Sequence, residues 1–474
     1  MIAARPPSKA GRARPASRAI ALTTAAALAL TSMPSRAQTG SNAGIPMIRD
    51  AEIEQLLRDY TAPILKAAGL GNQNIQVVII SDRSFNAFVM DAHRIFVNAG
   101  ALMEATTPNQ LIGVFAHETG HIVGGHLSKM RQELANAQTL AIIAMLLGIG
   151  AAAAGARSGN VDMGNIGEAA ALGPQAMLQN RILAYQRGQE EAADRAGVRF
   201  LTMTGQSAKG MYDTFKRFAD ETMFSSSYID PYAQNHPMPR ERMDALAELV
   251  KTPYWGKKDP PELQFRHDMM RAKLYGFMDR PDALLRRYPP SDTSMPARYA
   301  RAISTYRFGD LRAAIAQIDG LIAAMPNNPY FYELKGQALL EGGHPSEAIA
   351  PLRRAVQLAP NPTLIQIVLG QALVATNDPK LAQEAIPILR AALAKEPESS
   401  DAYSQLAMAY GRENDLADAD LASAQAAFAS GDNKTARELA ARAKQRFPVG
   451  SPGWVRADDI VAFNKNLNQS PLRK

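Results

Sequence analysis

Cysteine is missing from all 474 residues. That excludes disulfides and thiolate metal ligands, and it excludes a lipoprotein anchor, which needs a cysteine at its cleavage site. Stability therefore rests on packing alone. Aromatic residues are scarce at 7% while alanine is abundant, a balance that favours helices because alanine loses no side-chain entropy there. A hydrophobic fraction of 46% still provides for a sizeable core, and the length predicts two or three domains.

Acidic residues are also missing, but only from the first 37 positions. That stretch holds Arg5, Lys9, Arg12, Arg14, Arg18 and Arg36, and taking these six from the net charge of +7 leaves +1. The basic excess belongs to the leader, so no nucleic-acid partner is expected. An apolar run from Ala19 to Met33 follows the basic region, and Ser35-Arg36-Ala37 places small residues where a signal peptidase cuts. The pattern predicts a signal peptide over 1–37, cleaved after Ala37, rather than an Ala/Pro-rich disordered tail. The expected compartment is a bacterial periplasm.

Asp50 is placed to cap a helix from Ala51 to about Ala68, and Ile75 to Ile80 reads as a strand. Phe85 to Val97 reads as a bent strand or hairpin, and Asn109 to about Glu133 as one long helix. Residues 137–156 form a long apolar run, AQTLAIIAMLLGIGAAAAGA, opening a hairpin that extends to 187. Three readings stay open for it: a buried core helix, a hairpin docked on a membrane surface, or a membrane span. Pro/Lys-rich sequence near 252–261 marks a boundary, with a linker and atypical helices expected over 252–294. Pro326 and Pro360 are then 34 residues apart, the tetratricopeptide period. Gly336, Ala348, Leu352 and Ala355 fall at the packing offsets of one unit, Gly370 begins the next, and Ala302, Ala314 and Leu321 fit the unit before. A three-residue insertion near Asn377-Asp378-Pro379 delays the closing proline to Pro397. The repeats are expected over 295–460, with a tail at 461–474.

His117-Glu118-Thr119-Gly120-His121 carries the chemistry. Histidines four apart on a helix lie about 40° apart in azimuth, so both reach one metal ion. Glu118 is beside them, placed to take a proton from water that the metal has acidified. A two-histidine site needs a third ligand. His126 falls one position short of the metzincin histidine and, on a continuous helix, points about 140° away from His121, so it reads as a surface residue or one behind the ligands. The better source is Glu190 and Asp194, which share a helix face: one carboxylate binds the metal while the other orients an imidazole. His236 precedes prolines in a loop. It is either exposed or an oxyanion stabiliser. His267 and His344 show no metal spacing and read as surface residues.

Asn86-Ala87-Phe88, the HETGH helix, the E-x-x-x-D segment Glu190 to Asp194, and His236-Pro237 with Arg242 beyond together resemble the HtpX and CAAX-prenyl-protease type of zinc peptidase. Within that group the resemblance is to the BepA-like periplasmic branch with tetratricopeptide repeats. It covers nearly all of the chain after the leader, with one departure at Met90-Asp91-Ala92-His93, where many relatives carry a Pro/Gly-rich turn. The resemblance implies one zinc ion on His117, His121 and Glu190, Glu118 as catalytic base, and Asp194 and Arg242 behind the ligands. His236 is implied to be catalytic or latent. Asn86, Ala87 and Phe88 read as an extended edge that holds an unfolded peptide by backbone hydrogen bonds.

The expected fold is mainly α: a gluzincin-type peptidase domain with a small β element over 38–251, then an α-solenoid. The expected reaction is zinc-dependent hydrolysis of peptide bonds in misfolded or stalled envelope proteins. The repeats would recruit a partner, with the outer-membrane protein assembly machinery implied by the resemblance. The alternative is an assembly factor whose zinc site is mostly latent.

Overall fold

The computed structural model describes residues 46–130, 132, 186–224 and 231–463. The leader, the apolar hairpin except its last two residues, and the tail beyond 463 lie outside the described residues. Among the described residues, no helix is long and apolar enough to cross a membrane.

A four-stranded sheet in the order β1-β2-β4-β3 opens the peptidase part. β1 (Met47–Ile48) pairs antiparallel with β2 (Gln76–Ile80), and β2 pairs parallel with β4 (Arg94–Asn98). β3 (Ala87–Val89) and β4 form an antiparallel hairpin, with Phe88 opposite Phe96, which leaves β3 at the sheet edge. Helix α1 (Ala51–Ala67) starts where the Asp50 carboxylate accepts from the Ile53 N–H at 2.9 Å. Its buried face is Ile53, Leu56, Leu57, Tyr60 and Ile64, the spacing of one helical stripe.

α2 (Ala99–Glu104) leads to α3 (Pro108–Gly124), which carries the HETGH sequence. Pro108 suits the first turn because its missing N–H would have no partner there, and the Gln110 side chain accepts from the Thr107 N–H at 3.2 Å. The helix does not run on to Glu133. It ends at Gly124, because Gly125 adopts a left-handed conformation at φ 60°, and helical residues resume at 126–130. Next come α4 (186–203), α5 (Lys209–Phe224), α6 (Pro231–Asn235), α7 (Arg240–Leu249) and α8 (Pro261–Met278).

The segment read as a linker and atypical helices contains α8, whose Met270, Ala272, Leu274 and Tyr275 lie in the peptidase core. His267 on α8 is no surface residue. It is fully buried, paired through Nδ1 with the Tyr60 hydroxyl at 3.0 Å and through Nε2 with the Ala105 carbonyl at 2.8 Å. Burial lowers its pKa to about 4, so it stays neutral. His344 is exposed beside Glu347, as expected.

From Met295 the chain is a series of paired helices, Met295–Phe308 with Leu311–Ala324, Pro329–Glu341 with Pro345–Leu358, and Thr363–Ala375 with Pro379–Lys395, continuing to Ala462. The small residues do the work expected of them. A Cβ on Gly336 would sit 2.3 Å from Leu352, and one on Gly370 would sit 2.6 Å from Leu389. Leu352 is 16 positions after its glycine and Leu389 is 19, the difference being the three-residue insertion. Tyr299, Glu333 and Ile367 stand 34 residues apart and are all buried. The N-terminus of α1 seats against this column. Ala51 shares a core with Leu364 and Ile367, the Tyr299 hydroxyl donates to Glu52 at 2.9 Å, and Lys273 of α8 bridges Asp50 at 2.7 Å and Glu52 at 3.2 Å.

Candidate metal centre

α3 and α4 cross backbone to backbone. A Cβ on Gly120 would lie 2.8 Å from the Ala193 carbonyl, and one on Gly197 would lie 3.1 Å from the His117 nitrogen. Glu190, Ala193, Asp194 and Gly197 recur at one helical stripe, so the face that makes this close approach also aims both carboxylates at the histidines. α5 adds Phe215 beneath His117, ring centroids 5.1 Å apart. α6 and the turn after it bring in His236.

Donor atoms of His117, His121, Glu190 and His236 all lie within 4.8 Å of one another. His117 Nε2 is 3.0 Å from His121 Nε2, 3.3 Å from His236 Nδ1 and 3.3 Å from Glu190 Oε2. Glu190 Oε1 is 3.4 Å from His121 Nε2. His236 is 6% exposed, which rules out the exposed-loop reading; its Nδ1 meets Glu190 at 3.0 Å and its Nε2 is 3.4 Å from Glu118. Tyr232 on α6 packs tilted against the His236 ring, centroids 4.6 Å apart, and sits among Phe85, Phe215 and Phe218.

Behind this cluster, Asp194 meets His117 Nδ1 at 2.9 Å and takes two bonds from Arg242, 2.7 Å from Nε and 2.9 Å from Nη2. Arg242 also reaches Glu190 and the Pro237 carbonyl, both at 2.9 Å. One guanidinium thus ties both carboxylates of α4 to the loop that carries His236. Burial alone would raise the Asp194 pKa, but Arg242 and His117 overrule it and hold the group at about 2. Burial likewise opposes charge on Glu190, yet His236, His117 and Arg242 keep it ionised, well below the usual carboxylate range.

These residues fit a cation. Asp194 faces His117 Nδ1 and His126 faces His121 Nδ1, both at 2.9 Å; protons on those outer nitrogens leave the two Nε2 atoms converging with lone pairs inward, which is unfavourable without positive charge between them. Burial resists charge on His117, but Asp194 and Glu190 outweigh it and raise its pKa to about 9. Burial and the neighbouring His117 push His121 well below its ordinary value. The pocket accommodates positive charge, as a proton or as a metal ion. Imidazole and carboxylate donors without thiolate suit zinc.

Glu118 is 1% exposed, and burial lifts its pKa above the ordinary carboxylate range against the pull of His236 and His117. Of the edge residues, Asn86 and Ala87 are buried while Phe88 stacks on Phe96 at 5.4 Å. β3 packs against α3. His126, read as a surface residue or one behind the ligands, is 8% exposed and takes the second position. Its signal in the sequence was the Gly124-Gly125 pair, which breaks the helix and voids the argument from a continuous one.

Residues 48–250 match peptidase family M48, and residues 299–361 match a tetratricopeptide repeat. The chain is 22% identical over 437 residues to the Beta-barrel assembly-enhancing protease of Yersinia pestis, covering 90% of this chain and 86% of that protein. It is 23% identical over 434 residues to the protein of that name from Escherichia coli K12, covering 90% and 85%. Metalloprotease LoiP of Escherichia coli K12 is 29% identical over 193 residues, which is 39% of this chain and 68% of that protein. The chain therefore joins a peptidase family M48 domain to tetratricopeptide repeats, and is a metalloprotease homologous to the beta-barrel assembly-enhancing proteases over most of its length.

Proposed function

We propose that this metalloprotease is a zinc-dependent endopeptidase of the bacterial envelope that acts on misfolded or stalled envelope proteins, outer-membrane β-barrel precursors among them. The observation that carries the proposal is the convergence of His117, His121 and Glu190 on one point, with Glu118 on the same turn of α3. In this reading those three side chains hold zinc. Zinc bound there acidifies water and polarises the peptide carbonyl. Glu118 receives the proton of the attacking water and passes it to the leaving amine, a role that its burial-raised pKa suits. Asp194 and Arg242 fix the ligands. Asn86, Ala87 and Phe88 at the sheet edge align the substrate backbone. The substrate class rests on the likeness to the beta-barrel assembly-enhancing proteases, and periplasmic location on the leader.

His236 stands in the donor cluster itself, so the resting state we propose is latent, with His236 in the fourth metal position. The repeats recruit a partner or substrate. Their buried column Tyr299, Glu333 and Ile367 is already taken by α1, while Ser404 and Met408 in a later helix are exposed, so recruitment falls to the later repeats. The assembly-factor reading draws on the same latency. Degradation of unfolded casein by the purified protein and by His236→Ala separates the cases. A plug predicts a variant at least about tenfold faster than wild type. A slower variant makes His236 catalytic, and no cleavage by either zinc-loaded protein favours the assembly factor.

A further inference from the structure

The turn that ends α3 is built around one contact. Gly125 has φ +60°, which side chains with a Cβ adopt rarely. A Cβ on Gly124 would lie 2.1 Å from His126 Nε2 and 2.4 Å from its Cδ2, so the imidazole rests on the bare Cα of Gly124. The first glycine makes room for the ring, and the second turns the chain to deliver it. The ring then meets His121 edge to face, centroids 4.9 Å apart at 83°, with Nδ1 to Nδ1 at 2.9 Å. Gln189, next to Glu190, donates to the His126 carbonyl at 3.3 Å and ties the turn to the start of α4.

Two nitrogens at that distance need one proton between them. His121 Nε2 faces the donor cluster, so its proton sits on Nδ1 and is donated to His126, which accepts at Nδ1 and carries its own proton on Nε2. We infer that Gly124, Gly125 and His126 form a device that fixes the orientation and tautomer of His121, which makes His126 a positioning residue of the metal centre. The two histidines of HETGH are thereby held differently: His117 by the Asp194 carboxylate, His121 by a neutral imidazole. The inference rests on the reading of His121 as a metal ligand.

The test is the zinc dissociation constant of the full chain, measured by competition with a chromophoric chelator for wild type, His126→Leu, His126→Asn and Gly124→Ala. Leu fills the space and accepts nothing; the amide oxygen of Asn stands where the imidazole Nδ1 does. The expected result is zinc binding about 10–100-fold weaker for His126→Leu and Gly124→Ala, and recovery to within about threefold of wild type for His126→Asn. Wild-type affinity in His126→Leu, or equal losses in the Leu and Asn variants, overturns the inference. Should the Leu protein fail to fold, wild-type affinity in Gly124→Ala does the same. Absence of zinc from the wild type is a different result, which removes the metal-centre reading beneath it.

Discussion

Asp194 stands behind His117, where it need not touch a metal to bear on how one is held. The residue is 1% exposed, its carboxyl is held at about 2 by Arg242, and it faces His117 Nδ1 at 2.9 Å. Asp194→Asn keeps the shape, loses the charge and leaves Arg242 half-paired. Chelator competition should find zinc bound about 10–100-fold more weakly, with little change if Asp194 is only a packing residue. Asp194 and Glu190 were legible in the sequence because their relation to each other is local, four residues on one helix. His236 was legible only as a residue to weigh, because its meeting with His117 spans 119 residues of chain. His267 was misread for the same reason: its partners Tyr60 and Ala105 are 207 and 162 residues away.

Among elements, the decisive contact is the crossing of α3 and α4. The HETGH sequence explains Gly120 by nothing in the chemistry; the packing explains it. A methyl there would meet the Ala193 carbonyl at 2.8 Å and its Cα at 2.9 Å, both backbone atoms that cannot turn aside. Gly120→Ala should therefore separate the helices, cost about 1–3 kcal/mol in thermal or denaturant unfolding, and weaken metal binding together with stability. An unfolding curve that overlays wild type would mean the crossing tolerates a methyl. Strands β2 to β4 and most helices were readable from local pattern, whereas the two-residue β1 lies in what reads as a flexible lead-in. The end of α3 was missed although Gly124-Gly125 marks it, because single glycines are tolerated within helices and only the left-handed Gly125 shows that the chain turns there.

Across the whole molecule, peptidase and repeats share buried polar groups. Lys273, Glu52, Tyr299 and Glu333 come from both parts and are buried, and the half-buried Asp50 joins them through Lys273. The 34-residue period made the solenoid legible, but nothing periodic announces that α1 fills its first units. Burial, together with Asp50 and Glu52, raises the Glu333 pKa from 4.5 to about 8 although Lys273 pulls the other way. The folded state thus prefers the neutral carboxyl. That contribution is fully present below the unfolded pKa of about 4.5 and is lost as pH rises through about 8. Glu333→Gln should melt higher than wild type at pH 9, with the gap closing towards pH 4.5. A gap that is constant with pH would show that Glu333 does not titrate on unfolding in this window.

The central claim is that α3 and α4 form a hydrolytic zinc centre with Glu118 as its base. Its most direct test is turnover of unfolded casein by wild type and Glu118→Gln, or by both in the His236→Ala background if wild type is latent, with zinc per chain measured on the same samples. The account predicts one zinc in each protein and at least about a hundredfold loss of cleavage on Glu118→Gln. Equal cleavage by the two zinc-loaded proteins would contradict it.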